Sequence, residues 1–279
     1  LEFVKGAFYP KNGMRSIPTS LFILSKEIGV EFKFNTPIKK IKVDKNRVVS
    51  VLTKDQEFFS DLIACNNDVY YVYKKLLPTK YSLKLNTEQE RSSSAIIFYL
   101  GIKKEFNQLD LHNIFFSEDY KTEFESIQKG NIYKDPTIYV NISSKKTPSD
   151  APTNMENWFV MINTPFDSGQ DWDRLISKAR VNVINKLNRV LKTDIESLIV
   201  CEEVVDPLAI EADTYSFTGS LYGTSSNTKG AAFFRHPNFS RKIKGLYFCG
   251  GSVHPGGGIP LVLSSAKIVD GLIPAINEN

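Results

Sequence analysis

The sequence predicts an α/β (α+β) fold built from two interleaved parts. Three observations carry this. Apolar runs of strand length are interspersed with stripes at helical spacing. A hairpin pattern and a compact strand stand before residue 75, and a strand, a glycine loop and a helix close the chain over 245–273. Between these ends lie antiparallel strands and helices. The expected division is one unit from residues 1–75 and 240–279, interrupted by an inserted antiparallel-sheet and helix unit over 76–239.

In chain order, Tyr9–Arg15 has turn chemistry. Ser16–Ile28 follows as an amphipathic helix: Ile17, Leu21, Leu24 and Ile28 share one face, Pro18 sits in the first turn, and Gly29 ends it. Val30–Phe34 and Thr36–Val43 read as strands, and Asp44–Asn46 turns the second back into Arg47–Thr53. Asp61–Asp68 is a short apolar strand ending in Asn66, Asn67 and Asp68. Polar strand ends of this kind face ligands in α/β folds, and Asp68 equally suits the N-cap of a helix over Val69–Leu77 that Pro78 stops. Tyr70, Tyr71 and Tyr73 read as packing residues of that helix. Strands are expected at 92–102, 111–116, 137–142, 157–163 and 198–205. Helices are expected at 118–128 and at 171–191, where Leu175, Ala179, Val183, Leu187 and Leu191 form a stripe. Ser143–Asn154 is a polar loop and Gly219–Gly223 a glycine turn. Asp206, Glu211 and Asp213 read as a solvated acidic turn.

Of the 279 residues, 42% are hydrophobic and 24% charged, which supports a sizeable core and excludes wholesale disorder. The net charge of +4 is compatible with an anionic surface or cofactor and does not specify nucleic acid. The 19 Phe and 12 Tyr suit a large apolar cavity as well as a core. Cys65, Cys201 and Cys249 are far apart on apolar strand-like runs; they read as buried thiols in a reducing compartment, not as a disulfide framework. Three histidines without a CxxC or HExxH spacing give no metal signature. No run is long enough to span a membrane. The sequons at Asn141 and Asn238 read as chance matches. The chain opens Leu1-Glu-Phe-Val inside fold-like sequence, so a fragment of a longer protein is expected.

The stretch 245–273 holds the strongest chemistry. Leu246–Cys249 reads as a strand, Gly250, Gly251, Gly256, Gly257 and Gly258 crowd one loop, and Pro260 suits the first turn of a helix. Such a loop gathers free N–H groups at the positive end of a helix dipole. That is a site for a phosphate or for a ring that becomes anionic. The spacing matches neither a P-loop nor GxGxxG, so the residues alone leave a ligand-free turn open. His254 in this loop is either an acid–base group or a side chain that shapes the loop. Arg235-His236-Pro237 either lines a cavity or forms a surface turn.

The run Gly245–Pro260 resembles the C-terminal signature of the bacterial-type phytoene desaturase (carotenoid desaturase) family. Tyr9–Met14, Leu24–Glu31 with Asn35-Thr36, Asn66–Tyr70 with Tyr73–Pro78, His112–Ser117 and Gly219–Gly223 fit the same family in order, so the resemblance covers essentially the whole chain. Asn67 and Asn12 depart mildly from the family pattern, where Ala and Gly are usual. The resemblance implies an amine-oxidase-like flavoprotein: an incomplete FAD-binding Rossmann-like domain with an inserted substrate domain. It implies two-electron desaturation of a long carotenoid polyene such as phytoene, with FAD doing the redox chemistry. By that resemblance Gly250, Gly251 and Ser252 lie along the ribityl–diphosphate side. Gly257, Gly258, Ile259 and Pro260 bring the helix N-terminus to the flavin pyrimidine, and Ile38 meets the adenine. No general base is assigned; His254 is the one candidate. The family's GxGxxG and ribose-binding acid are not in this sequence, which implies that they belong to a preceding segment. The resemblance also admits a carotene cis–trans isomerase, a hydroxycarotenoid desaturase or a non-catalytic lipid-binding fragment. It implies a cytoplasmic protein, peripheral to the inner face of the cell membrane, and no nucleic-acid partner.

Overall fold

The first strands form a hairpin whose turn residues Lys45 and Asn46 both adopt positive φ, 43° and 60°. That is the backbone a tight two-residue turn requires, and Asn tolerates it well. The structure is a computed structural model that describes residues 6, 8–82, 91–225 and 235–274. The opening Leu1–Val4 run lies outside them. The hairpin strands are β1 (Lys40–Asp44) and β2 (Arg47–Leu52), and β3 (Glu57–Phe59) completes an antiparallel three-stranded sheet. Ile41 and Val48 bury its inner face.

The preceding helix, α1 (Ser16–Glu27), forms where expected but none of its residues is buried. Val30–Phe34 is not a strand. Phe32 and Phe34 instead cluster with Phe22 of α1, with ring centroids 4.6 to 6.0 Å apart. The extended strand expected from Thr36 begins only at Lys40.

Strand β4 (Ile63–Cys65) pairs in parallel with β10 (Leu246–Phe248), joining the two ends of the chain. Asp68 caps α2 (Val69–Tyr71) by accepting a hydrogen bond from the Tyr70 N–H at 2.8 Å. The helix then widens into a π turn over Val72–Leu76, closed by the Leu77 N–H donating to the Val72 carbonyl at 3.1 Å. Val69, Val72, Tyr73, Leu76, Leu246 and Phe248 form one core with Ile41 and Val48.

The large sheet is antiparallel throughout, in the order β6–β7–β8–β5–β9. These are β5 (Ser94–Ile102), β6 (His112–Phe115), β7 (Ile138–Asn141), β8 (Glu156–Thr164) and β9 (Ile199–Val205). One face is covered by α4 (Trp172–Leu191), whose Ala179, Val183 and Leu187 pack with Phe98, Trp158 and Ile162 in a second core. Between β6 and β7 lies α3 (Tyr120–Gln128), whose buried Glu123 accepts from the Thr137 N–H at 2.8 Å and hydroxyl at 2.7 Å. The alternate residues of β5 and β8 point to the other face. There Tyr99, Phe159 and Tyr139 form a run of edge-on rings, with centroids 5.5 and 6.2 Å apart.

The acidic segment after β9 is a helix rather than a turn: α5 (Pro207–Thr214), with the Asp206 carboxylate accepting from the Ala209 N–H at 2.7 Å. Pro207 sits where a missing N–H costs nothing. The three cysteines also differ from expectation. Cys65 is buried and burial pushes its thiol up to about 12, Cys249 is half-buried, and Cys201 is exposed on β9. The face of β9 away from the core accounts for the last. Among the described residues no helix is long and apolar enough to cross a membrane, and no cluster fits a metal ion.

Candidate functional site

Strand β10 delivers the glycine loop, and α6 (Ile259–Leu272) receives it. Gly250, Gly256 and Gly258 hold φ of 108°, 129° and 99°, a region costly for any side chain. Space forbids substitution as well. A Cβ at Gly250 would lie 2.6 Å from the Asn66 side chain, and one at Gly257 would collide with the Tyr222 ring. Gly258 is different, with nothing within 4 Å of where a Cβ would be. The loop therefore presents bare backbone to open space at the start of a helix that has no side-chain cap. Pro260 occupies its first turn.

Side chains from distant segments hold this loop in shape. The buried Asn238 amide donates to the Phe248 and His254 carbonyls at 3.1 and 2.8 Å and reaches the Ser265 hydroxyl at 2.8 Å. Ser265 in turn accepts from the Gly250 N–H at 3.1 Å. The Ser252 hydroxyl accepts from the Val69 N–H at 3.1 Å, tying the loop to the start of α2. Arg235 donates to the Gly251 carbonyl at 2.9 Å and the Tyr222 carbonyl at 2.7 Å. Sequence reasoning missed Asn238 and Ser265; the sequon at Asn238 was the only local mark, and it points elsewhere. Arg235 was left open between a cavity wall and a plain turn, and it lines a cavity.

That cavity, of about 600 Å³, has Pro255, Gly256 and Gly257 on one side and Phe124, Ile127 and Phe166 on the other. Arg91 stands in its wall, paired with Asp68 at 2.7 Å. Its guanidinium lies over the Tyr70 and Phe217 rings, 4.9 and 5.2 Å from their centroids. Burial first, and the charge of Arg91 second, lower the pKa of Arg235. Arg91 and Arg235 thus both stand in this wall, the first paired with Asp68. Neither Arg91 nor its pairing with Asp68 was visible beforehand, because 23 residues separate them in sequence.

The expected site residues do not all meet. Gly250, Gly251, Ser252, Gly257, Gly258, Ile259 and Pro260 share the loop and the helix start. Ile38 is half-buried just before β1, outside that loop, and of all the expected site residues only Gly257 is among those lining the cavity. The His254 side chain is exposed, and only its backbone is engaged, donating to the His236 carbonyl at 3.1 Å.

A parallel strand pair, a bare glycine loop and an uncapped helix start, joined to an antiparallel sheet, make an α/β protein whose loop can receive an anionic group. Comparison with known proteins narrows the class: residues 1–269 match the family described as flavin containing amine oxidoreductase, and the chain belongs to it. It is 53% identical over 278 residues to a 1-hydroxycarotenoid 3,4-desaturase of Flavobacterium sp. (strain P99-3), covering 99% of this chain and 57% of that protein. It is 31% identical to a phytoene desaturase of Fusarium fujikuroi, covering 96% of this chain and 51% of that one. The chain thus spans about half the length of the curated relatives it matches. Among solved structures, an oxidoreductase from Methanosarcina mazei superposes with a TM-score of 0.61 at 12% identity, over 93% of this chain and 54% of that one. A putrescine oxidase superposes with a TM-score of 0.53 at 13% identity, over 93% of this chain and 53% of the other. At such identities these two establish the fold alone.

The residues present fit a flavin. The open backbone at Gly258 and the uncapped start of α6 suit a group carrying phosphates and a ring that gains negative charge.

Proposed function

We propose that the full-length protein is an FAD-dependent desaturase of a carotenoid polyene, and that this chain supplies half of its cofactor site and its substrate cavity. The observation that carries the reading is the 53% identity to a hydroxycarotenoid desaturase along 99% of the chain. In this reading residues 1–75 and 240–279 belong to the cofactor-binding unit and 76–239 to the substrate unit. Gly250, Gly251 and Ser252 hold the ribityl–diphosphate side. Gly257, Gly258, Ile259 and Pro260 hold the ring. When bound, FAD would accept a hydride, two electrons with one proton, from one carbon as the C–C single bond becomes double, and the second hydrogen would leave the neighbouring carbon as a proton to solvent.

The chain's own contribution is binding, orientation and electrostatics. The N–H groups at the start of α6 stabilise negative charge that develops beside them. The Asn238–Ser265 network fixes the loop so that these groups need no reorganisation. The apolar wall at Phe124, Ile127 and Phe166 excludes water from a hydrocarbon substrate. Nine-residue strands β5 and β8 extend about 30 Å at ~3.4 Å per residue, and the half-buried Ile97, Phe159 and Met161 with the exposed Tyr99 on the face away from α4 suit an elongated polyene.

The exposed apolar side chains of α1, among them Leu21, Ile23 and Leu24, together with Ile28 just past its end, support a peripheral association with the cytoplasmic face of the cell membrane, where such a substrate dissolves. Flotation of the full-length protein with anionic vesicles tests this.

The function is tested on purified full-length protein. A flavin spectrum is expected, with a product two hydrogens lighter than the polyene supplied in vesicles. A product of unchanged mass identifies an isomerase instead. Protein that never takes up FAD overturns the reading.

A further inference from the structure

At the end of β10 and α6 away from the glycine loop, three chain segments bring cations to one turn. Lys45 and Arg47 flank Asn46 in the β1–β2 hairpin. The Lys244 N–H donates to the Asn46 carbonyl at 2.8 Å, and its carbonyl accepts from the Val48 N–H at 3.1 Å. Arg47 and Lys244 are thereby paired in a parallel bridge, with Arg241 and Lys242 just before Lys244 in the same loop. The Tyr81 hydroxyl reaches the Asn46 side chain at 2.8 Å, and Lys80 lies over the Tyr81 ring, 4.9 Å from its centroid. All six cations are exposed. Among the described residues only Arg47 of the six has an ion pair, an exposed one to Asp61 at 3.7 Å. Asp44 is the other acid in these turns. The positive excess here is as large as the net +4 of the entire chain.

Beside this turn, below the end of α6, lies a hollow of about 360 Å³. Arg47 and Lys244 stand at its rim, and Ile243 and Leu246, each 1% exposed, form its floor. Phe239 and Leu272 line it while remaining 39% and 41% exposed. Cations alone suit any polyanion. Large apolar side chains left in water beside them suit an anion that carries a hydrocarbon tail.

We propose that this hollow takes an anionic phospholipid of the membrane, its phosphate between Arg47 and Lys244 and the upper part of an acyl chain against Phe239 and Leu272. Lys45, Lys80, Arg241 and Lys242 add attraction to neighbouring headgroups. The proposal deepens the peripheral association argued above and rests on it. There α1 brings exposed apolar side chains. Here the turn adds the charge that selects among headgroups. The charges are exposed, so salt screens their attraction. An acidic protein would engage the cations and leave the hollow unfilled.

The test floats purified full-length protein with phosphatidylcholine vesicles and with vesicles in which phosphatidylglycerol replaces part of that lipid. The wild type is expected to bind the anionic vesicles about 100-fold more tightly at low salt, with the preference fading at high salt. Arg47→Gln with Lys244→Gln should cut the preference about 25-fold, roughly fivefold per cation. Binding to phosphatidylcholine and the flavin spectrum should stay in place, since the bridge between these residues is made by backbone. Leu272→Ser should weaken anionic binding and leave its salt dependence unchanged. Lys178→Gln with Lys192→Gln removes the same charge from exposed positions at α4 and should leave the preference intact. A soluble short-chain phosphatidylglycerol should displace the protein from anionic vesicles, whereas inorganic phosphate or polyaspartate at equal charge should not. Equal binding of both vesicle types by the wild type overturns the proposal and leaves the α1 contact standing. An equal loss in the α4 pair also overturns it and marks a mere effect of net charge. So does displacement by inorganic phosphate, which means a free-anion site, or by polyaspartate, which means an acidic protein partner. If the wild type binds neither vesicle, the peripheral association itself fails and this proposal falls with it.

Discussion

His236 shows how much one buried side chain sets. Its Nδ1–H donates to the Pro237 carbonyl at 2.7 Å, and its ring packs on Tyr73 and Phe248, 5.5 and 5.1 Å between centroids. Burial lowers its pKa below the ordinary 6.5, so the neutral ring is the form the fold accepts. The unfolded chain therefore binds more protons just below that value, and stability falls as pH drops through it. The contribution is fully present above 6.5 and is lost progressively toward the lowered folded value. The urea midpoint should fall between about pH 7.5 and about pH 5.5, with a shallower fall in His236→Phe. An identical slope in the variant removes His236 as the cause. The cysteines give a second readout at this scale. Brief alkylation of the native protein should label exposed Cys201 first and Cys65 last, since a buried thiol pushed up to about 12 offers almost no thiolate. Peptide mass mapping checks the order.

At the scale of elements, α4 separates capping from packing. Asp171 accepts from the Arg174 N–H at 3.1 Å, and Leu187 is fully buried against the large sheet. Asp171→Ala should cost about 1 kcal/mol. Leu187→Ala should cost about 2–5 kcal/mol through lost burial and the cavity left behind. Chemical denaturation of both variants measures the difference, and equal losses would contradict the assigned roles. This helix was legible because its stripe repeats over five turns, and the long strands were legible because apolar residues run or alternate at strand length. Strand β3 was not, since three residues between charges carry no period. Val30–Phe34 looked like a strand because its aromatics alternate, but the rings close on Phe22 and leave no ladder. The glycine loop was legible as backbone. What surrounds it was not, because Asn238, Ser265 and Arg91 act through side chains brought from separate segments.

For the whole molecule, the buried residues fall into two clusters. One joins β4, β10 and α2, and the other joins α4 to the large sheet. The glycine loop belongs with the first. In the full-length protein, saturating FAD should therefore stabilise the first cluster before the second. At a ligand concentration of 100 times its Kd, the gain is about 2.7 kcal/mol for the unit that binds it. Hydrogen exchange with and without FAD reads this directly: amides of β10 and α6 should slow, and those of α4 should change least. Uniform slowing would mean one cooperative body.

The Val69–Ser252 hydrogen bond joins residues 183 positions apart in the chain. At a synthesis rate of ~5–20 residues per second, the partner of α2 emerges about 10 to 40 s after α2 itself. The large sheet has all its strands well before then. Whatever depends on the shape of this loop can therefore bind only once residue 252 has been made, long after its partner α2.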